Sequence, residues 1–433
     1  MLATPAGAER PANEPFFPQA GNRGYDARDY QVLIRYKGNG RIFGETLITA
    51  IATQRLRQVS FDFDGPKIVG LDANPGDSYR RRGDKLIYIP DSPISKGGEF
   101  FVAFQYAGLP PTITDPDGTE EGWYPTDDGA LAVGEPQGTA AWIPCNNVPA
   151  DKATFSFTIE VPRGLQAVAN GLYGGTSSLP HRTSFFWEED EPMSPYLAVL
   201  DIGRGRIVKS RADGAPAWTL VDPRLVKRSR PVLASLPEIV HFESSIYGPY
   251  PFESAGSIVD YAPGLGYALE TQSRPIYPYV PDLTTVVHET AHQWLGDSVG
   301  LKRWPEIWLN EGFATWTEWY YAERHGRRSA HAIFNRLYGV PASNEKFWNP
   351  PSAHPGSAKN LFGPSVYIRG AMALEALRLK IGTKPMLRVL HDWADGHRYG
   401  SGRIKEFIGL TEEVSGRNLG PFFQRWLYQR GKP

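Results

Sequence analysis

Two histidines four residues apart with a glutamate between them, in His288-Glu289-Thr290-Ala291-His292, constrain this chain more than any other stretch. An α-helix turns once in 3.6 residues, so His288 and His292 share a face and can direct ring nitrogens at one point. Glu289 leaves the helix at a different angle. The flanking residues predict that helix over Leu283 to Leu295: Asp282 is an N-cap type, Val286, Val287, Ala291 and Leu295 form an apolar stripe, and Gly296 is a stop signal. Without a shared partner, three polar groups on such a helix would each be costly to bury. The spacing is that of HExxH, in which the imidazoles hold zinc and the glutamate handles the proton of a water.

A catalytic zinc takes three protein ligands and keeps one position open, and two histidines with a glutamate are one such set. Glu311 is the candidate third ligand. It opens a second helical pattern that runs to about Arg324, before His325-Gly326, with Phe313, Trp316, Trp319 and Tyr320 as its apolar residues. Packed antiparallel across the Gly296 to Leu309 connection, the two helices would bring Glu311 opposite the histidines. Glu318 lies two turns further on the same face. It is either an acceptor for the second N–H of a ligand histidine or a solvated helix glutamate.

Periodicity changes along the chain. Short β-type runs recur from Tyr30 to about Gly205: Tyr30 to Tyr36, Glu45 to Ala52, Gln58 to Phe63, Lys85 to Ile89, Glu99 to Tyr106, Thr154 to Val161, Gln166 to Ala169, Thr183 to Glu188 and Tyr196 to Ile202. After about Ala212 helical patterns dominate, including Val226 to Tyr247, Tyr367 to Lys380 and Ile404 to Val414. The fold class expected is multidomain, β followed by α+β. Residues 1–20 read as a flexible N-terminal segment, 21–211 as an all-β antiparallel sandwich or saddle, and 212–433 as the catalytic domain.

Composition narrows the function classes. The chain has 433 residues, 41% hydrophobic and 21% charged, which suits a globular protein of two or three domains. A net charge of −1 offers no electrostatic reason to expect nucleic acid or an anionic membrane as partner. Cys145 is the single cysteine, so no internal disulfide forms, and its setting suits packing better than reactivity. No apolar run is long enough to cross a bilayer, and Met1 to Phe16 lacks the apolar core of a signal peptide. The expectation is a soluble protein, either cytoplasmic or exported with its signal already removed. Nothing in the sequence sets an oligomeric state.

Beyond the zinc motif, HETAHQWLGDSV followed by WPEIWLNEGFATW resembles the gluzincin aminopeptidases of the aminopeptidase N family, which includes leukotriene hydrolase. Gly264-Leu265-Gly266-Tyr267-Ala268-Leu269-Glu270-Thr271-Gln272 is similar to that family's GAMEN motif, with Tyr267 for the first glycine, Leu269 for methionine and Thr271 for asparagine. Glu135-Pro136-Gln137, Trp142 to Asn147 and Asp151 to Phe155 resemble its N-terminal domain, and Val366 to Ala371 its YxKGA helix start.

The resemblance implies a thermolysin-like catalytic domain and one zinc ion per chain on His288, His292 and Glu311. It implies Glu289 as general base and Tyr367 as donor to the tetrahedral oxyanion. Glu135 and Glu270 would grip the substrate's free α-amino group, with Gly266, Tyr267 and Ala268 also substrate-binding; the Gly-rich stretch that holds Glu270 itself suits an exposed strand along the cleft, where extended substrate backbone could pair. The activity implied is removal of the first residue from peptides with a free N-terminus. An endopeptidase or a non-peptide hydrolase on the same scaffold is the alternative, and a catalytically silent binding protein a third reading. The long members' C-terminal helical domain has no counterpart up to Pro433, which predicts a more open cleft.

Overall fold

The computed structural model describes residue 12 and residues 14–433. The expected flexible segment 1–20 therefore lies mostly outside the described residues; within it, Glu14 and Ala20 are buried. The chain divides into two compact units. One takes residues through Ser210 with Pro216–Lys227 and Phe252–Val280, the other Arg211–Ala215, Arg228–Pro251 and Pro281–Pro433.

The first unit is β-rich. Its largest sheet has seven strands in the order Leu172–Leu179, Arg182–Met193, Ala153–Pro162, Tyr25–Tyr36, Ile42–Ala52, Glu99–Gly108 and Lys67–Asp72. Ile42–Ala52 alternates buried and half-buried positions along its whole length, as expected of a strand with one face on a core. One pairing departs from the antiparallel expectation: Tyr25–Tyr36 lies parallel to Ala153–Pro162, with Val32 opposite Phe157. The two strands are far apart in sequence, so no hairpin dictates their direction.

A second, five-stranded sheet runs Gln166–Ala169, Leu200–Gly203, Ala130–Val133, Glu120–Pro125 and Thr112–Thr114. The expected strand Tyr196 to Ile202 begins later, because Pro195–Leu197 forms a 3₁₀ turn with proline in its first turn. Strands such as Glu120–Pro125 and Ala130–Val133 carry no clear alternation and were not legible.

Compactness divides the chain differently from periodicity at 211/212. Ala217 to Val221 pair in parallel with Ala255 to Val259, which returns the segment around Glu270 to the β-rich unit. Arg274, fully buried, secures it by donating to the carbonyls of Ala169, Trp218 and Ala255, each at 2.9 Å, and to that of Gly171.

The α-helices among the described residues, in chain order, are α1 (Val226–Leu233), α2 (Leu236–Tyr247), α3 (Leu283–Ala291), α4 (Trp308–Arg324), α5 (Ala330–Tyr338), α6 (Glu345–Trp348), α7 (Gly370–Ile381), α8 (Thr383–Gly396), α9 (Ile404–Ser415) and α10 (Gly420–Phe423). The pattern Val226 to Tyr247 is two helices rather than one, since Pro237 lacks an N–H and sits in the first turn of α2. In the second unit α4 packs on both α3 and α7. No helix among the described residues is long and apolar enough to cross a membrane.

Candidate active site

Asp282 caps α3 by accepting from Thr285 N at 2.8 Å. The helix stops at Ala291 rather than Leu295, with His292 as its C-cap, still in right-handed helical conformation. Beyond it the amides of Asp297, Ser298 and Val299 reach back five residues to His292, Gln293 and Trp294, which replaces the helical ladder. His288 and His292 nevertheless remain one turn apart, with ring centroids 4.8 Å from each other.

Glu311 occupies the first turn of α4, where the helix dipole favours a carboxylate. Its Oε2 lies 3.2 Å from His288 Nε2 and 3.4 Å from His292 Nε2. One ligand atom from each of the three residues falls within 4.8 Å of the others.

The other ring nitrogens are already committed. His288 Nδ1 stands 2.6 Å from Glu318 Oε1, and His292 Nδ1 stands 3.0 Å from the carbonyl of Leu295. Both partners only accept, so each Nδ1 carries its proton and a neutral ring presents an Nε2 lone pair. Two such lone pairs and a carboxylate oxygen then converge on one point, and a shared cation is what that donor set fits. With protons alone to satisfy it, burial would lower the His288 pKa, yet Glu311 and Glu318 outweigh burial and raise it well above the imidazole range. Burial likewise pushes the Glu311 carboxyl up, and His292 and His288 overcome it to hold the group at about 2. Glu289, one residue along from His288, is 6% exposed.

Tyr367 sits in a five-residue π-turn, Ser365–Arg369, immediately before α7. Its half-buried ring stacks on His288, with centroids 6.0 Å apart and planes 18° from parallel. Two features that the sequence did not reveal hold it there. Arg369, fully buried, donates to the carbonyls of Trp426, Trp348, Gly431, Arg425 and Gln429, so its charge is met by five dipoles. Burial without a carboxylate lowers its pKa to about 10. Gly312 of α4 and Gly370 of α7 touch back to back: a Cβ on Gly312 would meet Gly370 Cα at 3.0 Å, and the reverse holds. This glycine pair lets the helix bearing Glu311 and the turn bearing Tyr367 come together.

In the first unit, Glu135 and Glu270 are 8% and 2% exposed, with carboxylate oxygens within 4.8 Å of each other. The Glu270 segment corrects one expectation. It is no exposed strand: Leu269 makes a single bridge to Ile276, and Arg274 N and Thr271 Oγ1 close a tight turn between them. Leu269 and Glu270 are buried, Tyr267 and Ala268 half-buried, and Gly266 takes a φ of +81°, which suits glycine. Tyr267 Oη donates to the carbonyl of Glu120 at 2.7 Å. Burial, then the carboxylates of Glu121, Asp115, Glu135 and Asp117, push that phenol far above its usual range.

Glu121 went unnoticed in the sequence, since Glu120-Glu121 beside an Asp-rich turn looks like solvated surface. It is fully buried, and burial followed by Asp115 raises its pKa well above the carboxylate range. Burial holds Asp115 at about 7.

The peptidase family M1 domain matches residues 279–426. Aminopeptidase M1 of Arabidopsis thaliana is 26% identical over 330 residues, covering 70% of this chain and 37% of that protein. Leucyl aminopeptidase of Saccharolobus solfataricus is 24% identical over 331 residues, covering 67% of this chain and 40% of that one. The chain thus spans well under half the length of these curated relatives. The crystal structure of an M1 zinc metallopeptidase from Deinococcus radiodurans superposes over 98% of both chains with a TM-score of 0.90 at 25% identity. A mutant of that enzyme bound to a Tyr-Ser-Ala substrate gives a TM-score of 0.91.

Proposed function

We propose that the chain is a member of peptidase family M1 and a zinc-dependent aminopeptidase that hydrolyses the first peptide bond of peptides with a free N-terminus. One observation carries the reading: three ligand atoms converge while both spare ring nitrogens are occupied by acceptors. His288, His292 and Glu311 would hold the zinc, one ion per chain, with Glu318 fixing the tautomer of His288. Zinc, when bound there, supplies Lewis acidity that makes water a nucleophile near neutral pH.

The chain's own residues do the rest. Glu289 takes the proton of the attacking water and delivers it to the leaving amine, a transfer that needs a carboxylate free of the ligand set. Tyr367 donates its hydroxyl proton as a hydrogen bond to the oxyanion that develops on the carbonyl carbon. Such a donor is typically worth about 3 kcal/mol of barrier. Glu135 and Glu270 hold the α-ammonium, because a cation taken out of water needs charged acceptors and two carboxylates supply them. An internal peptide bond brings no charge to that pair and leaves two carboxylates repelling each other.

A panel of aminoacyl-arylamides, each with its N-acetylated counterpart and with or without a chelator, tests the reading. Free-amine substrates should be cut, acetylated ones spared, and the chelator should abolish turnover reversibly on zinc return. Equal cleavage of acetylated peptides would instead establish an endopeptidase.

A further inference from the structure

Two carboxylates within 4.8 Å of each other repel when both are charged, so the backbone that presents Glu135 and Glu270 has to be held firmly. Neither residue belongs to a regular element. Glu135 follows the strand Ala130–Val133 and precedes the 3₁₀ turn Gly138–Ala141. Two backbone amides just beyond it, those of Gln137 and Gly138, point at one side chain. Gln137 N lies 3.0 Å from each oxygen of Glu121, and Gly138 N lies 2.7 Å from Oε2. A carboxyl group that accepts from adjacent N–H groups fixes the orientation of the intervening peptide planes. The approach is so close that a Cβ on Gly138 would meet Glu121 Oε2 at 2.8 Å and Val133 O at 2.3 Å.

The preceding residue reaches the other anchor. The carbonyl of Glu120 accepts from Tyr267 Oη at 2.7 Å, three positions before Glu270. Leu269 is bridged to Ile276 in both directions, at 3.1 and 2.8 Å, which closes the turn that follows Glu270. Glu270 is thus held by Tyr267 on one side and by the tight turn on the other.

We propose that Glu121 is a positioning residue for amine recognition, and that the two-residue step Glu120-Glu121 clamps the segments bearing both anchoring carboxylates to the start of one strand, Glu120–Pro125. Plain packing gives no reason to bury an acidic side chain at this point, since an apolar residue of similar size would avoid the desolvation cost. Asp115, 8% exposed, stands beside the same carboxyl group and, after burial, raises its pKa, so Glu121 meets the two amides as a carboxyl group held toward its neutral form. Tyr267 then has a function as the departure from the family's first glycine: its hydroxyl supplies the second arm of the clamp.

The inference rests on Glu135 and Glu270 holding the amine, and the test separates the two ideas. Steady-state kinetics on a free-amine aminoacyl-arylamide would be compared for the zinc-loaded full chain and the variants Glu121→Gln, Tyr267→Phe, Glu135→Gln and Glu270→Gln. Glutamine keeps the shape of Glu121 but turns one of its two acceptors into a donor. Glu121→Gln should raise KM about tenfold with kcat within about twofold, and Tyr267→Phe should do the same more weakly. Loss of folded protein would lower kcat and leave KM alone, so that pattern overturns the clamp, as does an unchanged KM. Should Glu121→Gln fail to fold, Tyr267→Phe decides, because it deletes one hydroxyl and disturbs no buried charge. If Glu135→Gln and Glu270→Gln leave KM and the preference for free amines untouched, the amine reading itself fails and the clamp falls with it.

Discussion

The candidate metal cluster and the glutamate pair show two ways of bringing carboxylates and their partners together. His288, His292, Glu311 and Glu318 come from α3 and α4, consecutive helices of one unit, and helix periodicity does most of the alignment. Glu135 and Glu270 come from distant parts of the β-rich unit and meet outside any regular element. A site built on helix periodicity survives small changes in its surroundings. A site held by single side-chain-to-backbone bonds depends on a few residues such as Glu121, Tyr267 and Arg274.

The comparison can be broken from either side. Glu289→Gln should retain zinc, by metal analysis, while kcat falls about a thousandfold or more. Turnover at the unmutated rate would remove Glu289 as the base. Glu270→Gln should lower kcat/KM for free-amine substrates by about a hundredfold and narrow their advantage over acetylated ones, since it deletes one charged acceptor. Unaltered selectivity would leave the pair without its assigned role. Glu318→Gln should weaken zinc affinity by about 10- to 100-fold in a competition titration, with a smaller effect on kcat at saturating metal. The smallest effect is expected at the helix end: Asp282→Ala deletes the cap on α3 and should cost about 1 kcal/mol in a denaturant titration with zinc bound. An unmoved midpoint would show that packing against α4 alone holds the helix.

Much of the geometry of the candidate metal cluster was legible because its signals are local. The apolar stripe at Val286, Val287 and Ala291, the cap at Asp282 and the four-residue histidine spacing all act within one helix, and only the helix end moved, from Leu295 to Ala291. The glutamate pair was legible by resemblance alone. Around Glu270 the reading of an exposed strand gave way to a buried turn, since Ser273 with positive φ and the buried Arg274 are effects of tertiary surroundings. Glu121 could not be told from its exposed neighbour Glu120, because burial of a carboxylate depends on which amides arrive from elsewhere in the chain.

The amino-acid sequence by itself determined the helix faces, and with them the ligand atoms available for a metal, because side-chain direction on a helix follows from residue spacing. Tertiary structure alone decided which nitrogens of those histidines are spoken for, through Glu318 and the Leu295 carbonyl. It also decided where Tyr367 stands, through the carbonyls around Arg369 and the contact of Gly312 with Gly370, and how two repelling glutamates are kept close. Those arrangements depend on groups remote in sequence, whose positions follow only from the packing of the whole unit.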